Sequence, residues 1–301
     1  MATPAIAVHG LTKRFGKARA IDGIDLEVRP GEAFGFLGPN GAGKTTTIRA
    51  LLGLLRPTSG TTEILGHDSW REPVAVHRVT GTLPGDFRYD ESLTGRELIA
   101  HVARLRRLGT TELAHAEHLA DRLHADLGRP LADLSRGNHQ KIGLVQAMFH
   151  RPPVLLLDEP TSGLDPLMQD LFVELVHEAR ADGATVFLSS HYLTEVERIC
   201  ERVGIIRAGR LVATDDVDAL ASRALRHVQV TFAGDVPERA LGALAGATDL
   251  RVSGAKATLR LAGDLDALVQ LLAEHAVTDL SIERASLDEL FRSFYEDPRD
   301  G

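Results

Sequence analysis

The segment Gly38-Pro39-Asn40-Gly41-Ala42-Gly43-Lys44-Thr45-Thr46 satisfies the spacing G-x-x-x-x-G-K-[ST] at each fixed position. Before it stands Phe34-Gly35-Phe36-Leu37, an apolar run with the length of a buried strand, and after it a run of helical character from about Thr46 to Leu55. In such a loop the glycines let backbone N–H groups turn toward one anion. Lys44 brings a point charge to the β- and γ-phosphates, and the Thr45 hydroxyl is placed for Mg2+. The following helix points the positive end of its dipole at the same place. A glycine-rich turn that merely joins a strand to a helix has no need of Lys-Thr at this offset. The loop predicts a chain that binds a nucleoside triphosphate.

With 301 residues, 44% of them hydrophobic, the chain has material for one large or two modest domains. A formal net charge of −8 offers no broad basic surface, so electrostatics give a nucleic-acid partner no support and none is expected. One cysteine, Cys200, excludes an intrachain disulfide framework and agrees with a reducing compartment; its plain reading is a small buried apolar residue. No run approaches the ~18 apolar residues that span a bilayer, and Met1-Ala2-Thr3-Pro4 does not open a secretory signal. Work at a membrane therefore requires a separate membrane-embedded partner.

Short alternating segments, Ile6-Ala7-Val8 and Ile24 to Val28, read as strands, and Thr61 to Leu65 as another after the turn cluster Arg56 to Gly60. From Thr94 to His150 helix formers dominate, in what looks like a helical insertion. Val154 to Leu157 and Thr185 to Ser189 then have the composition and spacing of buried strands in a parallel α/β sheet. Beyond about Ser222 the pattern changes to three short strands (Val228 to Phe232, Ala257 to Leu261, Asp279 to Ile282) alternating with helices near Glu238 to Leu244 and Leu265 to His275. This predicts a small α+β domain, β-α-β-α-β, ending in a helix from Ser286 to Tyr295.

The strand Val154 to Leu157 runs into Asp158-Glu159, a Walker B pattern. Beside the phosphate-loop strand it would deliver Asp158 to the Mg2+ shell and place Glu159 as general base toward the attacking water. Further on come Ser162-Gly163-Leu164-Asp165 and Leu188-Ser189-Ser190-His191. Taken alone, His191 is one of thirteen histidines; its position after a strand is what singles it out.

In this order, and with Leu134-Ser135-Arg136-Gly137-Asn138 between them, these motifs resemble the ATP-binding cassette of ABC transporters. The resemblance covers about residues 5 to 215. It implies a P-loop NTPase cassette over 1–221, with a RecA-like α/β core, an antiparallel β subdomain and a helical subdomain at about 86–150, followed by the α+β accessory domain 222–301. The signature departs from the family's LSGGQ at Arg136 and Asn138, which keeps an amide in place of glutamine, but retains Ser135 and Gly137. In the family those two touch the γ-phosphate of the ATP held by the opposite subunit; without that context Ser135 is an N-cap and Arg136 a surface charge. Asp165 matches the D-loop, His191 the switch histidine, and Phe15 the aromatic that stacks on adenine, although a lone Phe in a strand is more often core. Gly85, in Thr82-Leu83-Pro84-Gly85-Asp86-Phe87, stands where glutamine is expected, leaving Asp86, backbone or water as substitutes.

The segment Ala285 to Phe291 and the run His191 to Glu197 resemble drug- and antibiotic-resistance ABC exporter ATPases of the daunorubicin type. The implied activity is ATP hydrolysis with Mg2+, driving export through a separate transmembrane permease at the cytoplasmic face of the membrane. A second copy of the cassette would complete each site, so that Lys44, Thr45, Asp158, Glu159 and His191 of one chain meet Ser135 and Gly137 of the other. Two alternatives remain: a soluble cassette acting on ribosomes or nucleic acid, and a nucleotide-responsive module with little hydrolysis, motivated by Gly85 and the altered signature.

Overall fold

The fold is described from a computed structural model that covers residues 3–85, 89–219, 226–263 and 265–284. Alternating apolar residues set the first layer. Strands β1 (Ile6–Phe15) and β2 (Ala18–Val28) pair antiparallel, and a sheet forms in the order β2-β1-β4-β5 with β4 (Ser59–Ile64) and β5 (His67–Asp68). Its inner face, with Ile6, Val8, Leu11, Ile21 and Ile24, packs in one core with Phe34, Phe36, Ile48 and Leu51.

A second sheet runs in the order β10-β9-β3-β8-β7-β6. Every residue of β3 (Ala33–Leu37), β7 (Val154–Asp158) and β8 (Thr185–Ser190) is buried, as befits central strands covered on both faces. β3 runs parallel to β8 and to β9 (Arg202–Arg207), and β7 runs parallel to β8 and to β6 (Thr80–Leu83), with β10 (Arg210–Asp216) at the edge. Leu37 is in register with Ser190, and Asp158 with Ser189. The segments that leave these three strands therefore emerge side by side, which puts the phosphate loop, Glu159 and His191 together at the carboxyl ends of the central strands.

Helix α1 (Lys44–Leu51) starts inside the phosphate loop and stops short of Leu55, because Gly53 turns the chain at φ +65°. Helix α2 (Pro73–Val79) and β6 have no strong sequence signal, being seven and four residues long. The helical insertion comprises α3 (Gly95–Arg106), α4 (Thr110–Arg122), a 3-10 turn at Leu131–Asp133 and α5 (Arg136–Met148). A capping box between Thr94 and Glu97 opens α3. Helices α6 (Pro166–Ala181) and α7 (Leu193–Ile199) follow β7 and β8. Among the described residues no helix is long and apolar enough to cross a membrane.

The chain divides after Thr214 into two compact units. In the second, β11 (Arg226–Phe232), α8 (Glu238–Gly242), β12 (Ala247–Ser253), β13 (Lys256–Leu261), α9 (Asp266–Ala273) and β14 (Val277–Arg284) form an antiparallel sheet in the order β12-β13-β11-β14. This is the β-α-β-β-α-β, ferredoxin-like pattern, with one strand more than the sequence predicts. The extra strand, β12, lies at the edge with most of its residues exposed, so it lacks the apolar alternation that marks its neighbours. Val228, Val230, Phe232, Leu259 and Leu261 meet Leu241, Leu268 and Leu272 in its core. The predicted helix Ser286 to Tyr295, the segment Ala285 to Phe291 and Asp86 lie outside the described residues.

Candidate nucleotide site

The phosphate loop is shaped by close approaches. Gly43, the N-cap of α1, has φ +116°, and a Cβ there would come 2.9 Å from the Ala20 carbonyl oxygen. A Cβ on Gly38 would come 2.4 Å from the Ile206 carbonyl oxygen. Pro39 and Ala42 close the turn through an N–H···O bond of 3.1 Å, Gly41 sits at φ +79°, and Asn40 faces the adjoining cleft. No side chain caps α1, and its first turn, which includes Thr45 and Thr46, carries no acidic residue. The N–H groups of that turn remain available to an anion. Lys44 is 5% exposed; its ammonium donates to the carbonyl oxygens of Gly38 (2.7 Å) and Pro39 (3.3 Å) and lies 3.4 Å from Glu159 Oε1.

Asp158 closes β7, is 2% exposed, and accepts a hydrogen bond at Oδ1 from the Ser189 hydroxyl. Glu159 takes a left-handed conformation, φ +50°, while its N–H donates to the carbonyl oxygen (3.1 Å) and hydroxyl (3.2 Å) of Ser189. That turn takes the Glu159 carboxylate off the strand line toward Lys44 and His191. His191 Nδ1 lies 3.3 Å from Glu159 Oε1 without hydrogen-bond geometry, and its ring packs on Tyr192 at 3.9 Å between centroids. Asn40, Glu159 and His191 share a cleft of about 600 Å³ with Arg136 and Ser162.

Among the described residues no three His, Cys, Asp or Glu side chains converge as a metal cage. Mg2+ held mainly by phosphate oxygens and water needs only one or two protein groups. The Thr45 hydroxyl on the uncapped first turn and the second oxygen of the buried Asp158 carboxylate fit that need. Gly85 lies against the same carboxylate: a Cβ on it would fall 2.8 Å from Asp158 Oδ2 and 3.2 Å from Cγ. As the backbone stands, a glutamine there requires the Asp158 carboxylate to shift.

Other expected site residues stand apart from this group. Ser135 caps α5, its hydroxyl accepting from the Asn138 N–H at 3.2 Å. Gly137 passes so near Gly163 that a Cβ would come 2.8 Å from the Gly163 carbonyl oxygen. Among the described residues neither bonds to the phosphate loop. The Asn138 amide is engaged elsewhere, accepting from the Asp126 N–H (2.9 Å) and donating to the Asp126 carbonyl oxygen (3.2 Å). Asp165 caps α6 through the Met168 N–H at 3.1 Å. Phe15 is 52% exposed under the Lys13 ammonium, so its ring is no part of the core. Cys200 is buried, and burial pushes its thiol well above the usual range, as for an inert structural cysteine.

The sequence alone gave no role to Ser189, which holds both Asp158 and Glu159, or to Gln140, whose amide donates to the carbonyl oxygens of Glu159 (3.1 Å) and Pro160 (2.8 Å). The one signal for Ser189 was a polar residue at the end of an apolar strand.

Uncapped N–H groups and a buried ammonium call for a phosphate chain, and the neighbouring carboxylate has room for water; the fold is that of a P-loop nucleoside triphosphatase cassette. Residues 21–162 match the family model described as ABC transporter. The chain is 38% identical over 311 residues to the daunorubicin resistance ATP-binding protein DrrA3 of Streptomyces coeruleorubidus, covering 99% of this chain and 98% of that one. It is 35% identical over 231 residues to the bacitracin transport ATP-binding protein BcrA of Bacillus licheniformis, covering 74% of each. A solved ATP-binding subunit of an ABC transporter superposes with a TM-score of 0.66 at 30% identity, over 72% of this chain and 92% of that one. The dimeric post-hydrolysis cassette MJ0796 bound to ADP and Pi shares the fold, with a TM-score of 0.65 at 21% identity over 70% of this chain and 98% of that one. The chain belongs to the ABC transporter family.

Proposed function

We propose that this chain is the ATP-hydrolysing subunit of an exporter, working as two copies closed over two ATP molecules and coupled to a separate membrane permease. The observation that carries this reading is the convergence of Lys44, Glu159 and His191 beside an uncapped helix N-terminus. Lys44 exchanges the loop carbonyls for the β- and γ-phosphates. Glu159 takes the proton of the attacking water, and His191, beside the same carboxylate oxygen, steadies the carboxylate and the γ-phosphate. Thr45 and Asp158 would hold Mg2+, which when bound would supply positive charge to offset that growing on the phosphate oxygens. The exposed Phe15 ring stacks on adenine.

Ser135 and Gly137 bond to no part of their own phosphate loop, which supports their serving a second copy's γ-phosphate through the start of α5. Asp165, capping α6 beside the 159–163 turn, belongs to the same interface. ATP touching both chains favours the closed pair, and hydrolysis removes that preference. Residues 1–221 form the cassette and 222–301 an accessory domain.

A second cleft supports the permease. It has a volume of about 940 Å³ between α2, the end of α3 and residues 150–153, and its lining includes His77, Arg78, Arg106, Arg107, His150 and Arg151 but, among the described residues, no carboxylate. Val74 and Leu105, 65% and 72% exposed, supply apolar rims. An amphipathic permease segment carrying acidic side chains fits both properties, and docking there places the chain at the cytoplasmic face. By analogy with the relatives' names the cargo is a drug, an antibiotic or another hydrophobic compound.

Glu159→Gln tests the hydrolytic assignment. ATP binding, followed with a fluorescent nucleotide, should persist while turnover falls by about 10²- to 10⁴-fold. Turnover close to wild type would remove Glu159 as the base.

A further inference from the structure

Glu159 is held at φ +50°, a conformation that residues with side chains keep only where their surroundings impose it. On one side Ser189 of β8 takes the Glu159 N–H. On the other side stands Gln140, in the second turn of α5 and 9% exposed, whose amide donates to the carbonyl oxygens of Glu159 at 3.1 Å and Pro160 at 2.8 Å. The same helix grips the following residues. Arg136 donates to Ser162 Oγ at 2.8 Å, and Gly137 passes the Gly163 carbonyl too closely for a Cβ.

We propose that Gln140 is a positioning residue for Glu159: its amide fixes the main chain of the Glu159-Pro160 turn and so keeps the carboxylate in place against Lys44 and His191. The inference rests on the reading of Glu159 as general base. The chemistry of the contact is selective. An uncharged amide offers two donors at this reach, one for each carbonyl. Glutamate has none when ionised, and asparagine is shorter by about 1.5 Å. Losing both bonds leaves the Pro160 carbonyl short of its partner and the Glu159 carbonyl with only the Ser162 N–H, at 3.1 Å, so the left-handed residue is held less firmly. The contact also joins the start of α5, which would meet the second copy's nucleotide, to the hydrolytic carboxylate of its own chain.

Gln140→Met keeps the length of the side chain and removes both donors; Gln140→Glu keeps its shape and sets a carboxylate against two carbonyls. In the full chain with its permease, kcat should fall by about tenfold to a hundredfold while KM for ATP stays within about twofold. In a Glu159→Gln background the same substitutions should cause no further loss, because the group they misplace is already gone. Thermal unfolding identifies the folded variants, and if Gln140→Met does not fold, Gln140→Glu and Gln140→Asn are read in the same way. Wild-type kcat in a folded variant, or an equal loss in the Glu159→Gln background, overturns the role of Gln140. Turnover of Glu159→Gln alone near wild type overturns the general-base reading instead, so the two failures are distinct.

Discussion

Two clefts of the cassette differ in who supplies the counter-charge. In the nucleotide cleft Lys44 and His191 both face a carboxylate of their own chain, Glu159, at 3.4 and 3.3 Å. In the groove between α2, the end of α3 and residues 150–153, four arginines and two histidines line the walls and, among the described residues, no carboxylate does. There Arg106 donates to the Thr80 carbonyl oxygen at 2.8 Å, and His150 Nε2 lies 3.4 Å from the same oxygen. Burial and then the Arg106 charge pull the His150 imidazole down to about 4, and burial lowers the Arg106 guanidinium as well. A cleft that balances its own charges is equipped to act on a substrate. One lined by arginines, and apolar at its rim, favours a partner that brings the opposite sign.

Glu159→Gln, with its loss of several powers of ten, is the strongest attack on the first half of this contrast. The next largest effect belongs to the groove. His150 binds its proton near 6.5 when unfolded and near 4 when folded, so the unfolded chain holds more protons between those values. Its contribution to stability is complete above about pH 6.5 and is lost as the pH falls toward 4, for about 3 kcal/mol in all. His150→Phe leaves the Thr80 carbonyl its Arg106 bond and should flatten the acid side of a denaturant-midpoint profile; an unchanged slope would contradict the burial of a neutral imidazole.

Arg106→Glu places an acid where the groove has none. Its affinity for permease-containing vesicles, measured by cosedimentation, should fall by about a hundredfold. Equal or tighter binding would mean that the permease segment is not acidic, and the contrast between the clefts would lose its meaning.

The smallest effect, and the least intuitive, returns to the nucleotide cleft. Gly85→Gln restores the residue common in the family, yet its Cβ would press on the Asp158 carboxylate at 2.8 Å. Turnover should fall by at least about tenfold, and more Mg2+ should be needed to support nucleotide binding in a fluorescence titration. Improved turnover would show that Asp158 yields easily, despite its bond from Ser189.

How much of this was legible depended on how far apart the interacting residues stand. The phosphate loop and the strand into Asp158-Glu159 were legible because their chemistry is contiguous, and the buried runs of β3, β7 and β8 because they are uninterrupted. Strand β12 was not, since an exposed edge strand needs no apolar alternation, and α2 and β6 are too short to establish a period. A lone Phe in a strand is more often core, so the exposure of Phe15 was not legible. Asn138 looked like a stand-in for the signature glutamine, but its amide is bonded to Asp126.

By itself the sequence determined that this chain holds a phosphate and carries the order of motifs of an ATP-binding cassette. Nine adjacent residues suffice for the first, and order along a chain for the second. Only the tertiary structure decided which carboxylate meets the ammonium and the histidine, because that depends on β7 and β8 lying in register beside β3. It also decided that a side chain at position 85 would press on Asp158, that Gln140 reaches the turn of Glu159, and that an arginine-lined groove opens between segments distant in sequence. Contacts made across a sheet or between subdomains are set by packing, and packing leaves no local pattern in the residues that make them.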